Sequence, residues 1–192
     1  THSNIRFPGI GVGGYCLTKD PAFAPAATRQ LLAVPGLDFP FSRLALEVNL
    51  DMPLHCAQKL TNLLGGDCKD KNVLLLGVSY RQDVGDTRHS PVETLAQTLL
   101  QDGGIVSAFD PFVSYWPEMK WSLPDQLPEA ESFNAVVLAT PHLQFKQLDL
   151  LSWLGVSRPV VLDAVNVLSK SERNRCRAAG VRVESIGRGD GL

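Results

Sequence analysis

The spacing of apolar residues changes once along the chain, near Gly65 and Gly66. Over residues 42–64, apolar side chains recur at three- and four-residue steps, which places them on one face of a helix. The pattern therefore predicts one long helical segment over 42–64. Pro53 falls inside it, and we expect a kink or a split there, because proline lacks the backbone donor and clashes with the preceding turn.

Beyond residue 70, short apolar runs alternate with helical patterns. The runs predict strands at 73–76, 105–109, 135–139, 160–162 and 182–186. The patterns between them predict helices at 91–101, 144–154 and 170–179. Continuous apolar strands joined by helices favour a parallel sheet that is covered on both faces. We therefore expect an α/β protein in two parts: an opening loop with a helical segment over 1–68, and a doubly wound, Rossmann-like domain over 69–192.

The first helix of the predicted α/β domain has a clear start. Ser90 suits the N-cap, Pro91 suits the first helical position, and Glu93 can close a capping box. We therefore expect this helix to begin at Pro91.

Charge and hydropathy narrow the range of partners. The chain has 192 residues, with 18 Lys and Arg against 20 Asp and Glu, and a formal net charge of -2. Its basic residues form no dense stripe, so we expect no nucleic-acid partner. No apolar run approaches the roughly 20 residues of a membrane helix, and the first residues contain no signal-peptide core. We therefore expect a cytoplasmic protein with no membrane partner.

The four cysteines are scattered along the chain. They form neither a CxxC pair nor an ordered array with histidine, so their spacing supports neither a disulfide framework nor a structural zinc site. We therefore expect no metal.

A glycine-rich run, residues 9–14, satisfies the pattern GxGxxG. That pattern binds a dinucleotide when a strand precedes it and a crossover helix follows, and neither is predicted here. We interpret it as a loop that lets backbone approach a ligand and delivers Cys16 ahead of a helix with Asp20 as N-cap and Pro21 first. The helix end and Lys19 would favour the thiolate of Cys16. The alternative is an inert cysteine in an ordinary turn.

Several ordered motifs resemble the UDP-glucose/GDP-mannose dehydrogenase family. Residues 11–21 read GVGGYCLTKDP, similar to the family's active-site segment GxGGxCxxKD. Residues 47–53 are similar to the start of its central dimerisation helix, and residues 73–91 resemble the GxxYKxDxxDxRxSP opening of its UDP-binding domain. Two further landmarks match at 109–111 and 139–142. The resemblance covers nearly the whole chain.

The resemblance implies oxidation of a UDP-sugar at C6 to the UDP-uronic acid, with two NAD molecules used in succession. Cys16 would add to the intermediate aldehyde as a thiohemiacetal and later carry a thioester that water cleaves. Asp20 would handle the proton or the water, and Lys19 would be a supporting charge. Helix capping is an alternative role for Asp20. The family's NAD-binding domain, and a catalytic lysine and asparagine, are expected upstream of Thr1, so the chain alone should bind a UDP-sugar without reducing NAD.

Residues of the glycine loop and of the first βα loop are the expected substrate ligands. Gly13, Gly14 and Tyr15 would line the sugar nucleotide. Arg81, where the family commonly has lysine, and Arg88 would offer their donor forks to the diphosphate. A surface salt bridge is the alternative for either arginine, for instance Arg88 with Asp86 or Glu93.

Other candidate ligands lie at the ends of later strands. Asp110 is placed for a ribose hydroxyl, or equally for an Asp-Pro turn. His142 could face the same crevice or be a solvent-facing turn residue, and we assign it no catalytic role. The chain departs from the family's Asp-x-Arg-Asn motif at Val165, which cannot donate a hydrogen bond.

Two other functions remain open on the sequence. The chain could be a non-catalytic nucleotide-sugar-binding or dimerisation module, with the helix over 42–64 as a homodimer interface. It could also be an NAD-binding Rossmann domain from Asp70 onward, although no glycine fingerprint follows Leu76. Thiol reactivity of Cys16 separates the enzyme from the module.

Overall fold

The computed structural model describes residues 7–32, 34 and 36–188, so the outermost ends of both predicted parts lie outside the described residues. The first part contains a 3-10 turn, Asp20–Ala22, and two helices, α1 (Phe23–Gln30) and α2 (Pro40–Leu63). Helix α2 continues for 24 residues through Pro53. The predicted helix is confirmed. Of the two alternatives expected at Pro53, the split is wrong and the kink stays a prediction.

The second part is an α/β domain. Its strands are β1 (Asn72–Leu76), β2 (Ile105–Phe109), β5 (Ala135–Leu138), β6 (Val160–Asp163) and β7 (Val183–Ser185), with a small hairpin of β3 (Tyr115–Trp116) and β4 (Trp121–Ser122). Its helices are α3 (Pro91–Gln101), α4 (Leu143–Gln147), α5 (Leu150–Leu154) and α6 (Lys170–Ala178). The five main strands form one parallel sheet in the order β2-β1-β5-β6-β7. This confirms the predicted α/β class with its parallel sheet.

Both faces of the sheet are buried. Val73 and Leu75 of β1 belong to a hydrophobic cluster with residues of α2 and α3. Leu74 and Leu76 belong to a second cluster, with residues of α5 and α6. Because successive side chains of a strand point to opposite faces, the uninterrupted apolar run of β1 feeds both cores.

The predicted helix over 144–154 is wrong as a single element. The structure has α4 and α5 there, separated at Leu148 and Asp149. The carboxylate of Asp149 accepts a hydrogen bond from the backbone N–H of Ser152, at 3.3 Å, and so begins α5 as its N-cap. An N-cap inside an apolar helical pattern ends the first helix and starts the next.

Helix α2 has two different halves. Cys56 and Leu60, in its C-terminal half, share a hydrophobic core with the sheet. Phe41, Leu44 and Leu50, in its N-terminal half, are 87%, 56% and 69% exposed. The division of the chain near residue 68 therefore stays a prediction, since the helix and the sheet share a core.

No helix in the described ranges is long and apolar enough to cross a membrane.

Candidate functional site

The winding of the sheet reverses between β1 and β5. The chain passes from β1 outward to β2 and then returns to the other side of β1 to form β5. Ligands of open α/β sheets bind beyond the carboxyl ends of the strands at such a point. The loops after β1 and β5 touch here, since a Cβ at Gly77 (φ +94°) would lie 2.3 Å from the Cβ of Thr140. The Thr140 hydroxyl donates to the carbonyl of Ser79 at 2.7 Å.

Asp110 is the buried acceptor that holds the loop after β1. Its Oδ2 accepts from the backbone N–H groups of Val78 and Ser79, at 2.8 and 3.1 Å, and from the Ser79 hydroxyl at 2.9 Å. Its Oδ1 accepts from the N–H of Phe112 at 2.9 Å. The side chain is buried, so the carboxylate organises this loop from within.

His142 completes this network. Its Nδ1 accepts from the backbone N–H of Asp83 at 2.9 Å, so the ring proton is on Nε2, which lies 3.1 Å from Oδ2 of Asp110 and donates to it. Burial raises the pKa of Asp110, but hydrogen bonds from His142 and the backbone outweigh it and hold that pKa below its ordinary value. The ring of His142 is fully buried, so the alternative of a solvent-facing turn residue is wrong.

The opening segment, which is the described part of the chain before the 3-10 turn (residues 7–19), lies between α2 and the end of β6. The amide of Asn49 pairs with Val12 in both directions: Oδ1 accepts from the Val12 N–H at 2.7 Å, and Nδ2 donates to the Val12 carbonyl at 2.8 Å. The Ile10 N–H donates to the carbonyl of Ala164 at 3.0 Å. Pro53 offers no N–H to the carbonyl of Asn49, and a Cβ at Gly11 would lie 3.3 Å from that oxygen. The segment is therefore fixed to both elements.

Gly13 and Gly14 allow the opening segment to approach the loop after β1. A Cβ at Gly13 would lie 2.6 Å from the carbonyl oxygen of His89 and 2.7 Å from the Cβ of Tyr80. At Gly14 (φ +85°) it would lie 2.8 Å from the Tyr80 ring. Tyr15 meets the His89 ring edge-to-face at 5.0 Å. The loop after β1 thus requires both glycines, and a contact of Gly13, Gly14 or Tyr15 with substrate stays a prediction.

A pocket of about 930 Å³ lies between the opening segment, the N-terminal half of α2 and the loops after β1, β5, β6 and β7. One wall is apolar and is formed by Ile10, Val12, Leu44, Val48, Met52 and Val165. The polar lining is formed by Asn49, Gln82, Lys146, Asn166 and Arg188. A large, mostly apolar pocket with a few polar groups is typical of a small-molecule site.

The polar lining of the pocket is positively charged. Lys146, from α4, donates from Nζ to Oε1 of Gln82 at 2.8 Å. Arg188, which follows β7, donates from Nε to Oδ1 of Asn166, and its guanidinium carbon lies 4.2 Å from the centre of the Phe7 ring. The described residues that line the pocket include no carboxylate. An anionic group is therefore the favoured polar ligand.

The loop after β6 shapes one side of this pocket. Buried Asp163 accepts from the backbone N–H groups of Val167 and Leu168, at 2.8 and 2.9 Å. Burial raises the pKa of Asp163, and these hydrogen bonds oppose the shift without cancelling it. Asn166 has a left-handed backbone (φ +57°), and Val165 faces the pocket beside it.

Cys16 is exposed and follows the pocket-lining part of the opening segment by four residues, but it does not itself line the pocket. Its carbonyl accepts from the N–H groups of Lys19 and Asp20, at 3.1 and 2.8 Å, which makes a tight turn. The sulfur is thus open to solvent and to small reagents.

Lys19 and Asp20 form an exposed pair. Nζ of Lys19 lies 2.8 Å from Oδ1 of Asp20 and 4.6 Å from the centre of the Phe23 ring. The hydrogen bond to Asp20 raises the pKa of Lys19. The 3-10 turn begins at Asp20 with Lys19 as its N-cap residue, and the cap has no side-chain hydrogen bond. The predicted capping role of Asp20 is therefore wrong.

The other three cysteines, Cys56, Cys68 and Cys176, are buried. Burial raises the pKa of the Cys56 thiol to about 12 and raises the pKa values of the other two. All three therefore remain thiols at neutral pH.

Among the described residues, no group of three His, Cys, Asp or Glu side chains could hold a metal ion.

The two arginines of the loop after β1 differ in their contacts. Arg88 forms a two-point pair with Asp86, with Nε to Oδ1 at 2.9 Å and Nη2 to Oδ2 at 2.7 Å, and its guanidinium carbon lies 5.5 Å from the Tyr15 ring centre. This is the salt bridge that the sequence left open. Arg81 is exposed, immediately before the pocket-lining Gln82. Neither arginine lines the pocket.

The sheet order and its switch point define a doubly wound, Rossmann-like α/β domain. The chain belongs to the UDP-glucose/GDP-mannose dehydrogenase family, whose UDP binding domain model matches residues 74–170, half of the chain. It is 31% identical, over 191 residues, to the UDP-N-acetyl-D-mannosamine dehydrogenase of Methanococcus maripaludis, covering 97% of this chain and 42% of that protein. It is 30% identical to the UDP-glucose 6-dehydrogenase of Rickettsia felis, covering 96% and 41%.

The fold is similar to solved structures of such enzymes. The NDP-N-acetyl-D-galactosaminuronic acid dehydrogenase from Methanosarcina mazei matches with a TM-score of 0.80 and 28% identity, over 96% of this chain and 40% of that one. The UDP-D-ManNAc dehydrogenase from Pyrococcus horikoshii matches with a TM-score of 0.76 and 26% identity, over 98% and 42%. The chain thus spans about two fifths of the length of the relatives it matches.

Sequence reasoning missed three of the polar residues that shape the pocket. Asn49 was covered by the resemblance to a dimerisation helix, but its pairing with Val12 was not expected. Lys146 and Arg188 were not predicted, because each lies far along the chain from the motif after β1. The sheet topology could have found them, since residues that follow β5 and β7 lie at the same edge as those that follow β1.

Proposed function

We propose that the protein is an NAD-dependent UDP-sugar 6-dehydrogenase, and that the pocket of this chain holds the sugar nucleotide. The observation that carries the proposal is the pocket itself: it faces the switch point of a UDP-binding type of domain and combines an apolar wall with two cations. A uracil ring suits the apolar wall, and a diphosphate suits Lys146 and Arg188. The names of the relatives differ in the sugar, so the proposal extends to UDP-sugars as a class.

Cys16 is the proposed nucleophile. Its thiolate would add to the carbonyl carbon of a C6 aldehyde, forming a C–S bond while the carbonyl oxygen takes a proton. NAD, when bound, would supply the oxidant that takes a hydride from that carbon. Water would then cleave the resulting thioester, giving the carboxylate and returning the thiol. Exposure of Cys16 and its place on the segment that lines the pocket support this role. Asp20 would assist proton transfer, and Lys19 would hold Asp20 in place through their 2.8 Å contact.

The described residues do not themselves fit a dinucleotide. Tyr80 already occupies the space beside the α-carbons of Gly13 and Gly14, so the glycine run offers no cradle for a pyrophosphate. The chain from β1 to α3 is a long loop rather than a tight glycine turn. This chain does not cover about three fifths of the length of its relatives. We propose that NAD is bound by a region that corresponds to that uncovered part. The alternative of an NAD-binding domain beginning at Asp70 is correspondingly less well supported.

We propose a different role for each of the remaining predicted ligands. Arg81 adjoins a pocket-lining residue and could reach the diphosphate with its long side chain. Arg88 is already paired with Asp86, so we propose that it adds positive charge near the diphosphate without contacting it directly. Asp110 is proposed to act on substrate through the loop that it organises.

Calorimetry on the 192-residue chain tests the proposal. We expect UDP and UDP-glucose to bind, NAD to bind far more weakly, and no NAD reduction to occur with the isolated chain. The same titrations with Val48→Glu, which adds a carboxylate to the pocket wall, should show weaker UDP binding. Tight NAD binding with no UDP binding would support the alternative domain and contradict the proposal.

A homodimer through α2 is a further proposal. Exposed apolar side chains of its N-terminal half, with Phe41 at 87% and Leu50 at 69%, favour burial against a second copy. Light scattering should give twice the chain mass, and Leu50→Glu should return the monomer mass. A monomer at high micromolar concentration would count against it.

A further inference from the structure

The side chain of Asn49 joins α2 to the opening segment. It is half-buried, in a half of the helix whose large apolar side chains are mostly exposed. Its Oδ1 accepts from the Val12 N–H at 2.7 Å, and its Nδ2 donates to the Val12 carbonyl at 2.8 Å. A carboxamide has an acceptor and donors in one plane, so it can pair with both peptide groups of one residue, as a neighbouring strand would.

This pairing fixes the opening segment between two other fixed points. Two residues earlier, the buried Ile10 donates its N–H to the carbonyl of Ala164, at the end of β6, at 3.0 Å. One residue later, Gly13 packs against Tyr80. The opening segment is therefore tied to the α/β domain at residues 10 and 13 and to α2 at Val12.

Gly11 gives the tie to α2 its geometry. Its φ of +131° is one that a residue with a side chain rarely adopts. A Cβ there would lie 3.3 Å from the carbonyl oxygen of Asn49 and 3.3 Å from the Cβ of Pro91. The backbone and the side chain of Asn49 thus both lie against the turn at residues 11 and 12.

We propose that Asn49 is a positioning residue of the proposed reaction: its amide holds the opening segment on α2, so that Val12 forms the pocket wall and Cys16 is presented from a fixed point. The inference rests on the proposed function, because it assumes that the pocket holds the sugar nucleotide. Val12 and Asn49 both line the pocket, and Cys16 lies four residues beyond Val12. A fixed wall lowers the entropic cost of binding, and a fixed segment keeps a nucleophile near the reacting carbon.

The competing role for Asn49 is a purely structural tie. Such a tie would stabilise the contact of α2 with the opening segment without affecting the ligand. The two roles agree on local stability and differ in binding and reactivity. Loss of a positioning residue changes the affinity for UDP and the reactivity of Cys16 in protein that stays folded, whereas loss of a structural tie changes neither.

The test uses Asn49→Ala on the 192-residue chain, because alanine favours a helix and the variant should fold. Hydrogen exchange of the Val12 N–H, measured by NMR, should become about tenfold faster, while the amides of β1 keep their rates. The affinity for UDP, from amide chemical-shift titration, should fall by about fivefold. Unchanged exchange at Val12, or faster exchange with unchanged UDP affinity, would overturn the proposal.

The matched control is Asn62→Ala, in the same helix. Asn62 accepts from Nε2 of Gln58 at 3.2 Å and does not line the pocket. Its loss should leave the exchange of Val12 and the affinity for UDP within about twofold of wild type. Equal effects of the two substitutions would assign the loss to the helix as a whole and overturn the proposal.

Gly11→Ala disturbs the same tie from the other side. Its Cβ would press on the carbonyl of Asn49 at a strained φ, so the affinity for UDP should fall as in Asn49→Ala. Because both substitutions act on one contact, the double variant should bind UDP within about twofold of the weaker single variant. Losses that multiply would mean that Asn49 does not act through this turn, and would overturn the proposal.

Labelling of Cys16 with iodoacetamide separates this inference from the proposed function. In Asn49→Ala, the ratio of the native to the unfolded labelling rate should fall toward one, and an unchanged ratio would overturn the inference. A wild type that binds no UDP, or whose Cys16 is labelled more slowly when folded, would remove the proposed function together with this inference. A wild type that binds UDP no more tightly than Asn49→Ala would remove the inference only.

Discussion

The loop after β1 and the cysteine segment, residues 13–20, face each other, but different kinds of contact hold them in place. The loop is anchored from within by Asp110 and His142, which are both buried and joined at 3.1 Å. The cysteine segment is held by backbone turns, by close contacts of the buried Gly13 and Gly14, and by the exposed pair of Lys19 and Asp20. Buried networks tolerate little loss, whereas exposed pairs contribute little to stability.

This difference separates two requirements of the proposed reaction. A binding edge must keep its shape before the ligand arrives, and a buried carboxylate with several donors provides that rigidity. A nucleophile must meet a reacting carbon and solvent water, so Cys16 must remain accessible. The two regions should therefore respond differently to substitution and to chemical modification.

Removal of the buried carboxylate should have the largest effect. Asp110→Ala leaves the N–H groups of Val78 and Ser79 and the Nε2–H of His142 without their acceptor. We expect a loss of about 3 to 5 kcal/mol in the free energy of unfolding, measured by urea denaturation followed by circular dichroism.

The matched control is Asp86→Ala, which removes a partly exposed carboxylate from the same loop. Its pair with Arg88 is open to solvent, so the loss of stability should be much smaller than for Asp110→Ala. Similar losses for the two variants would show that burial does not distinguish these carboxylates.

The second prediction concerns the thiols. Iodoacetamide should label Cys16 at least about 100-fold faster than Cys56, Cys68 or Cys176 at pH 7.5, because only Cys16 is exposed and burial raises the pKa of the other three thiols. Peptide mass spectrometry at timed intervals gives the four rates.

Exposure alone could produce that ratio, so the control is the same cysteine in the unfolded chain. A nucleophile should be labelled faster in the native protein than in urea, whereas a leftover cysteine should not. Native labelling that is slower than unfolded labelling would favour the non-catalytic module.

The main elements of the fold could be predicted from local pattern. The strand at 105–109 has the predicted bounds, and α3 begins at Pro91 with Ser90 as its N-cap, as predicted. The break between α4 and α5 was missed, because the apolar period outweighed the capping signal of Asp149. The split at Pro53 was wrong because α2 continues past the proline, whose one missing N–H leaves only the carbonyl of Asn49 without its helical donor.

The site was only partly predictable. Local motifs point to Cys16 and to the loop after β1, since their residues are close in sequence, and the role of Cys16 stays a prediction. Asp110 was placed at the right edge of the sheet, but its partner His142 follows a different strand, and only tertiary structure joins them. The same is true of Lys146 and Arg188, whose approach to one pocket depends on strand order.

The smallest predicted effect is a difference in pH dependence between two buried carboxylates, Asp110 and Asp163. The pKa of Asp110 is lowered in the folded protein, so its stabilising contribution is present above its unfolded pKa, near 4, and is lost as pH falls through the folded pKa. The pKa of Asp163 is raised, so its contribution is present below about pH 4 and is lost as pH rises through the folded pKa.

Asparagine at each position removes the titration while keeping the shape. The stability of wild type relative to Asp110→Asn should therefore grow as pH rises toward about 4, by at most about 1.4 kcal/mol per pH unit. Relative to Asp163→Asn it should decline as pH rises above about 4, with the same limit on slope. Urea denaturation between pH 3 and pH 7 measures both differences. Slopes of the same sign would mean that the loop after β6 holds its carboxylate as the loop after β1 does, and that the two ends of the pocket are built alike.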